Sequence, residues 1–280
     1  MSTIDADVLA AYNAGIEKNR LRSGLGLVEF ARTCEILTET LPAPPAVIYD
    51  IGGGYGEYAW WLAARGYTVS LFDISERNIE MSADLAAEYP KAQLTAAEIA
   101  DARNIAMPDE SADAILLLGP LYHITEYGER LAALRESFRL LKPGGLIFTA
   151  AITRYATLLW ATTVYGERNE LLGDADFIEM VERELRDGQH IKKTSASYAG
   201  MGRSYFHLPR ELADEIEAAG FVNAEVRGVI GASWLVPNLD EQWKDPKRRE
   251  NILRTVRMTE KEDAVLGLST HILAIAEKPR

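Results

Sequence analysis

The sequence has 280 residues, of which 48% are hydrophobic and 26% charged, so it can form one sizeable α/β domain with an insertion or at most two small domains. Its formal net charge of −12 disfavours a nucleic-acid partner, because phosphate binding needs a basic surface. The one cysteine, Cys34, excludes an internal disulfide framework and a multi-cysteine metal site.

The first 45 residues predict a helical cover. The chain does not open with a basic stretch followed by an apolar run, and it contains no run of about 18 apolar residues, so we expect a cytoplasmic protein without a membrane partner. Residues 5–40 show helical spacing in two pieces, which should pack over the ligand edge of the sheet. Tyr12, Arg20 and Arg32 could contact a ligand there, although ordinary surface or core positions are favoured for all three.

Residues 47–57 read Val-Ile-Tyr-Asp-Ile-Gly-Gly-Gly-Tyr-Gly-Glu and predict a buried strand, a tight turn and a helix start. Gly52, Gly54 and Gly56 let the backbone take positive φ and let a ligand approach closely. The helix start adds free N–H groups and a positive dipole end, so we expect a nucleotide-type ligand. A dinucleotide fingerprint needs a glycine at position 57, but Glu57 stands there and would repel a pyrophosphate.

A second strand is predicted at residues 68–72 and ends in Asp73-Ile74-Ser75. An acid at this end of a strand can accept both ribose hydroxyls of a bound nucleoside. Ser75 can cap the next helix, which leaves Asp73 for the ligand. A weak third strand is predicted near residues 92–96.

The acid–glycine pattern of residues 50–56 resembles the first motif of the class I S-adenosylmethionine-dependent methyltransferases. This resemblance implies S-adenosylmethionine as cofactor and S-adenosylhomocysteine as product, bound through Asp50, the three alternating glycines, Asp73 and Ile74. An acid-flanked turn suits this ligand, because it carries a cationic sulfonium and an amino group and has no phosphate.

Further parts of the chain extend the resemblance. In the family, an acid followed by a small residue recognises the adenine edge, and Asp101-Ala102 matches that pattern, with a plain polar loop as the alternative. The apolar run 114–118 predicts a central strand buried on both faces, and Leu118 would lie beside the transferable methyl group. Pro-Gly-Gly at 143–145, before a fifth strand at 146–150, is a second mark of the family.

The histidines are the candidates for a base where the acceptor must lose a proton, because histidine titrates near the operating pH. His123 and His207 could serve as that base, and Tyr122 could orient the acceptor. The alternative for each histidine is a hydrogen-bonded wall residue. His190, in a predicted turn, and His271, in a terminal strand, are interpreted as structural.

The predicted fold is α/β: a doubly wound, Rossmann-like, seven-stranded and mostly parallel sheet, with N-terminal helices and a lid insertion after strand 5. Residues 1–45 form the helical cover, 46–152 the cofactor-binding core, 153–208 the lid and 209–280 the C-terminal part of the core. The lid should determine acceptor specificity, because loops on a rigid scaffold usually do so. Its aromatic residues hint at an apolar or aromatic acceptor: Tyr155, Trp160, Tyr165, Tyr198, Tyr205 and Phe206.

The function expected from the resemblance is methyl transfer to an O, N or C nucleophile of a small metabolite. No metal is expected, because no group of His, Asp and Glu has metal-ligand spacing. A homo-oligomer is possible. The alternatives are a protein of the same fold that binds S-adenosylmethionine without methyl transfer, and a nicotinamide-dependent oxidoreductase, which Glu57 disfavours.

Overall fold

The computed structural model describes residues 9, 13, 19–163, 166, 168–193 and 202–280. Tyr12, Tyr165 and Tyr198 lie outside these described residues. Within them, no helix has both the length and the apolar character needed to cross a membrane.

A seven-stranded sheet forms the centre of the molecule, with strand order β3-β2-β1-β4-β5-β9-β8. Strands β1 to β5 are parallel, whereas β9 runs antiparallel to both β5 and β8. The predicted fold class is therefore confirmed. The strands are β1 (Val47–Ile51), β2 (Thr68–Asp73), β3 (Ala96–Ile99), β4 (Ala112–Leu117), β5 (Leu141–Ile152), β8 (Val222–Gly228) and β9 (His271–Glu277).

Helices lie on both faces of the sheet. They are α1 (Leu25–Thr40), α2 (Glu57–Ala63), α3 (Glu76–Leu85), α4 (Pro120–His123), α5 (Tyr127–Leu140), α6 (Ala156–Ala161), α7 (Ala175–Asp187), α8 (Pro209–Ala218), α9 (Leu239–Lys244), α10 (Pro246–Thr259) and α11 (Asp263–Leu266). Short 3₁₀ helices occur at Arg20–Arg22, Ala86–Glu88, Asn169–Gly173 and Ser233–Leu235. Between α7 and α8, strands β6 (Gln189–Ile191) and β7 (Arg203–Tyr205) form a separate antiparallel pair.

The central strand β4 explains why residues 114–118 read as a continuous apolar run. Ile115 and Leu117 pack into the hydrophobic cluster on one face of the sheet, and Ala114 and Leu116 pack into the cluster on the other. All four side chains are fully buried. A strand covered on both faces has no solvent-facing positions, so it shows no polar alternation.

Two predicted boundaries were wrong. The third strand begins at Ala96 rather than near residue 92, since pairing with β2 starts only when the Thr95 N–H donates to the Val69 carbonyl at 2.7 Å. The Pro-Gly-Gly turn lies inside β5 as a bulge: Leu141 pairs with Ala112, and the ladder resumes only at Leu146. A turn residue with positive φ, such as Gly144 at 79°, allows such an insertion without ending the strand.

Candidate functional site

The turn between β1 and α2 depends on glycine backbone geometry. Gly52, Gly54 and Gly56 have φ values of 68°, 60° and 91°, a region that other residues rarely adopt. The Gly52 N–H donates to the Phe72 carbonyl of β2 at 2.7 Å. A Cβ at Gly52 would lie 2.4 Å from the Pro120 ring, so the turn packs closely against the start of α4. The predicted strand–turn–helix unit is present at these residues.

Asp50, near the end of β1, is a buried carboxylate whose oxygens have no hydrogen bond of normal geometry among the described residues, although the nearby Ala59 N–H opposes the rise in its pKa. It is 0% exposed, and both of its oxygens are unsatisfied. Burial, reinforced by the nearby Asp73 carboxylate, raises the pKa of Asp50 to about 7. Its carboxylate lines a cavity of about 40 Å³ together with Gly52, Gly53 and Gly54. A buried acid that lacks a partner is costly unless a cation or donor reaches it, so this position is suited to a cationic ligand.

Asp73, at the end of β2, is held by backbone and side-chain donors. Its Oδ2 accepts from the Gly54 N–H at 2.8 Å, and its Oδ1 accepts from the Ser75 N–H at 2.9 Å and from Nδ2 of Asn78 at 3.0 Å. The Ser75 hydroxyl accepts from the Asn78 N–H, so the predicted cap of the next helix is present. These contacts fix the Asp73 carboxylate beside the glycine turn. Asp50 and Asp73 therefore lie near each other in different surroundings.

The 3₁₀ helix Arg20–Arg22 covers the glycine turn. Arg20 and Leu21 line the 40 Å³ cavity, and Arg22 donates to both oxygens of Glu57, at 2.6 and 3.1 Å. The Tyr55 hydroxyl also donates to Glu57, at 2.7 Å. The hydrogen bonds that Arg22 donates to Glu57 hold the pKa of Arg22 above its ordinary value. Glu57 therefore begins α2 as expected, but its charge is neutralised by Arg22 and does not stand free at the helix start.

The residues at this turn fit an adenosyl cation chemically. The glycine cradle has no side chains, Asp50 offers an unmatched negative charge, and Asp73 is oriented at the neighbouring strand end. A cavity of 40 Å³ holds a few water molecules at roughly 10–15 Å³ each, whereas ligand pockets run from about 300 Å³ upward. This cavity therefore accommodates only part of a nucleoside.

The predicted adenine contacts lie at the same edge of the sheet but do not line the 40 Å³ cavity. Both oxygens of Asp101 accept from Arg103, from Nε at 2.9 Å and from Nη2 at 2.5 Å. Burial would raise the pKa of Asp101, but the Arg103 hydrogen bonds hold it below its ordinary value. Ala102 is buried, and Ile74 is half-buried. Leu118 does line the cavity, so it is brought to the turn, and the adenine role of Asp101 stays a prediction.

Comparisons with known proteins decide the family. A family model described as a methyltransferase domain matches residues 49–149, which run from β1 into β5. The ubiquinone/menaquinone biosynthesis C-methyltransferase UbiE of Caulobacter sp. (strain K31) is 32% identical over 200 residues, which are 68% of this chain and 73% of that protein. The chain belongs to the class I S-adenosylmethionine-dependent methyltransferases.

Other comparisons show how far the likeness extends. UbiE of Acidiphilium cryptum (strain JF-5) is 31% identical over 114 residues, which are 40% of this chain. The match covers 45% of that protein, so the chain spans only about half of the length of this relative. A structure of an S-adenosylmethionine-dependent methyltransferase from Thermotoga maritima, titled a possible histamine N-methyltransferase, superposes with a TM-score of 0.57 at 17% identity. That match covers 97% of this chain and 98% of the other, and it shows that this methyltransferase shares the fold.

A second cavity, of about 790 Å³, lies between the lid and the N-terminal helix α1. Its apolar wall includes Trp160, Phe206 and Trp234. Two of the predicted lid aromatics therefore face a cavity. Tyr155 is exposed, and the ring of Tyr205 packs instead under the Arg130 guanidinium at 3.6 Å.

Tyr122 lies between the two cavities. It lines the 40 Å³ cavity and packs against Ile152 and Phe206, which line the larger one. Its neighbour His123 is a weak candidate base, because burial lowers the pKa of His123 to about 4. A neutral ring with so low a pKa holds a proton poorly at pH 7.

His207, the other predicted candidate base, lies apart from both cavities. It is 0% exposed and lines neither cavity, and its Nε2 lies 3.3 Å from Oε2 of Glu215. Burial lowers the pKa of His207 despite that carboxylate. Arg130 donates to the same Glu215, so His207 belongs to a buried network that joins α5 and α8.

The surroundings of His190 differ from its sequence interpretation. It belongs to strand β6 rather than a turn, lines the 790 Å³ cavity, and has Nδ1 2.6 Å from Oε1 of Glu184. His271 lines the same cavity, with Nδ1 3.9 Å from Glu29. Gly188, which ends α7 in the left-handed conformation at φ 79°, is the one local signal that the chain reverses there.

Proposed function

We propose that the protein transfers a methyl group from S-adenosylmethionine to a small-molecule acceptor held in the 790 Å³ cavity. The observation that carries this proposal is Asp50, a buried carboxylate without a partner in the described structure, placed at a glycine turn with no side chains. Such a position is stabilised by a ligand that brings its own positive charge. Family membership supports the same ligand.

Each site residue has a proposed part. Asp50 and the glycine turn hold the cationic side of the methyl donor, and Asp73 accepts the ribose hydroxyls. Ile74, Asp101 and Ala102 contact the adenine, and Leu118 and Tyr122 form the wall between donor and acceptor. When bound, the donor supplies an electrophilic methyl group, and the protein contributes by holding the acceptor in line with it.

The size and composition of the second cavity support a small acceptor. Ligand pockets are commonly about 300–1,000 Å³ with mostly apolar walls and few polar groups. The cavity of about 790 Å³ falls in that range and has tryptophan and phenylalanine in its wall. The UbiE relatives are named for ubiquinone and menaquinone biosynthesis, which also favours a small organic acceptor. The lid residues 153–208 would then set which acceptor binds.

Calorimetric titration with S-adenosylmethionine tests the donor site. We expect Asp73→Ala to weaken binding about 100-fold, or about 2.7 kcal/mol, because a charge-assisted pair of hydrogen bonds is lost. Asp84→Ala removes an exposed acid from the neighbouring helix α3 and should bind as the wild type does. Thermal melts of each variant separate lost binding from lost folding, since Asp73 also accepts internal hydrogen bonds. Failure of the wild type to bind the donor would refute the proposal.

Methyl transfer itself needs a separate experiment. The wild-type protein, methyl-tritiated S-adenosylmethionine and a fractionated small-molecule extract should yield a labelled product. Donor binding without any labelled product would favour the alternative, a protein of this fold that uses the donor without methyl transfer. A fluorescence change with NADH would instead revive nicotinamide chemistry. Adding a chelator should leave the labelled yield unchanged if no metal takes part.

A further inference from the structure

Asn78 is a buried polar side chain in the first turn of α3. It is 0% exposed, and it lines neither of the two cavities. Its backbone N–H donates to the Ser75 hydroxyl at 3.2 Å, which makes it the third helical residue after the cap. An amide is costly to bury unless it is hydrogen-bonded, so the contact that this side chain makes indicates its role.

The side chain of Asn78 does not take part in capping the helix. In a capping box, the side chain at this helix position accepts from the backbone N–H of the cap residue. Here the Ser75 N–H donates instead to Oδ1 of Asp73, at 2.9 Å. Nδ2 of Asn78 donates to the same oxygen, at 3.0 Å. The cap residue and the asparagine therefore converge on Asp73.

The orientation of the Asn78 amide follows from the chemistry of its partner. An ionised carboxylate only accepts hydrogen bonds, so the NH₂ group points to Asp73 and the carbonyl oxygen points away. That oxygen, Oδ1 of Asn78, is buried and has no hydrogen-bond partner in the described part of the chain. A buried carbonyl without a partner destabilises the fold, and an apolar side chain would avoid this cost. The contact with Asp73 is what asparagine contributes and an apolar residue could not.

Three donors hold the two oxygens of Asp73. Oδ1 accepts from the Ser75 N–H and from Asn78, and Oδ2 accepts from the Gly54 N–H at 2.8 Å. Because Gly54 lines the 40 Å³ cavity, Asp73 is bonded to the wall of the proposed donor site. Two of the three donors are backbone groups that the glycine turn and the cap supply. Asn78 is the side-chain donor of the three, so a substitution there leaves the backbone donors in place.

We propose that Asn78 is a positioning residue for ribose recognition: it fixes the Asp73 carboxylate in the rotation that accepts the ribose hydroxyls of the donor. This inference rests on the proposed function, in which Asp73 accepts those hydroxyls. The last torsion of an aspartate side chain is broadly distributed, so a carboxylate without this donor would have to be ordered when the ligand binds. Asn78 is fully buried and acts through Asp73 rather than by touching the ligand.

The proposal predicts an effect that depends on the ribose hydroxyls. S-adenosylhomocysteine carries both hydroxyls, and its 2′,3′-dideoxy analogue carries neither, while the adenine and amino-acid parts are the same. Hydrogen bonds to a carboxylate should make the wild type prefer S-adenosylhomocysteine by about 100-fold. Loss of the Asn78 amide should reduce that preference and leave the affinity for the analogue unchanged.

Calorimetric titration with these two probes compares the wild type, Asn78→Leu and Asn251→Leu. Asn78→Leu keeps a similar side-chain volume and removes the donor. Asn251 is an exposed asparagine of α10 that lines neither cavity, so its variant is the matched control. Asn78→Leu should bind S-adenosylhomocysteine about three- to tenfold more weakly, which is the cost of ordering one side chain. It should bind the dideoxy analogue as the wild type does, and Asn251→Leu should match the wild type with both probes.

The outcomes separate this inference from the proposed function. A wild type that binds neither S-adenosylmethionine nor S-adenosylhomocysteine refutes the proposed function. A wild type that binds both probes equally overturns the inference alone, because the hydroxyls are then not recognised. An equal loss of both affinities in Asn78→Leu would show a structural role, and unchanged affinities would show that the contact has no effect on binding; either result overturns the inference.

A double-mutant cycle tests whether Asn78 acts through Asp73. In the Asp73→Ala background, Asn78→Leu should cause no further loss of affinity for S-adenosylhomocysteine. A further loss of about threefold or more would overturn the proposal, since Asn78 would then act by another route. Thermal melts accompany each titration, and Asn78→Ala, which introduces a smaller side chain, takes the place of Asn78→Leu if the leucine variant does not fold.

Discussion

The two cavities differ in how their walls are made. Beside the glycine turn, the wall comes mainly from two short segments, residues 50–58 and 118–122, and much of it is backbone or glycine. The larger cavity is lined by side chains from α1, the lid, the 3₁₀ helix Ser233–Leu235 and β9, which are far apart in sequence. The donor side is thus specified by local backbone conformation, and the acceptor side by distant elements brought together by the fold.

Asp50 lines the smaller cavity, whereas Glu184 contacts His190, which lines the larger one, and these two buried acids differ in their partners. Asp50 has no hydrogen-bond partner in the described structure, whereas Glu184 has His190. An acid without an internal partner is completed by an external cation, whereas an acid with an imidazole partner can support proton transfer. The contrast suits Asp50 to an external cationic ligand, whereas Glu184 already has an internal partner.

The largest predicted effect is on the free energy of unfolding and comes from the protonation of Asp50. Its pKa is raised from 3.8 to about 7, so the folded protein keeps a proton that the unfolded chain releases. The free energy of unfolding should therefore fall by about 4 kcal/mol as pH rises from about 4 to 7, relative to Asp50→Asn, which has no such proton. Urea unfolding at several pH values measures this difference between the two proteins.

The same variant separates ligand binding from stability. If the donor cation needs ionised Asp50, its affinity for wild type should rise up to about tenfold per pH unit below pH 7 and level off above it. Asp50→Asn should bind weakly with no such rise. Parallel pH profiles for the two proteins would mean that Asp50 does not face the ligand.

The turn, the helix cap and the strand ends beside the smaller cavity could be predicted from the sequence because each one follows from residues next to it in the chain. Positive φ at Gly52, the cap at Ser75 and the acid at Asp73 are set by local turn and capping rules. Glu184 and His190 are six residues apart across a helix end, so neither helical nor strand periodicity places them together. Only the reversal at Gly188 and the pairing of β6 with β7 create their contact.

The same limit applies to the surroundings of other residues. His207 reads as a polar residue near the lid, but its burial depends on Glu215 of α8, eight residues further on, and on Arg130 of α5. The neutralisation of Glu57 depends on Arg22, which is 35 residues away. Long-range partners of this kind leave no local pattern in the chain.

A second prediction tests whether the donor side depends on glycine geometry. Gly52→Ala places a Cβ at φ 68° and 2.4 Å from the Pro120 ring, so the turn must shift. We expect donor affinity to fall about 100-fold, or about 2.7 kcal/mol, in calorimetric titration. Gly128→Ala is the control, since nothing lies within 4 Å of its Cβ; it should bind normally and gain about 0.5 kcal/mol of stability. Equal binding by both variants would contradict a role for the turn.

The smallest effect concerns a long-range contact beside the smaller cavity, the ion pair of Arg22 with Glu57. Arg22→Met leaves the 6% exposed Glu57 without its cation, and a double-mutant cycle with Glu57→Gln should give a coupling of about 1 kcal/mol. Arg77→Met breaks an exposed pair with Glu80 and should cost about 0.5 kcal/mol or less. If the Arg20–Arg22 segment restricts donor entry, Arg22→Met should also speed donor association in stopped-flow fluorescence, while Arg77→Met should not. A slower association would mean that the Arg20–Arg22 segment is part of the binding surface instead of a barrier to it.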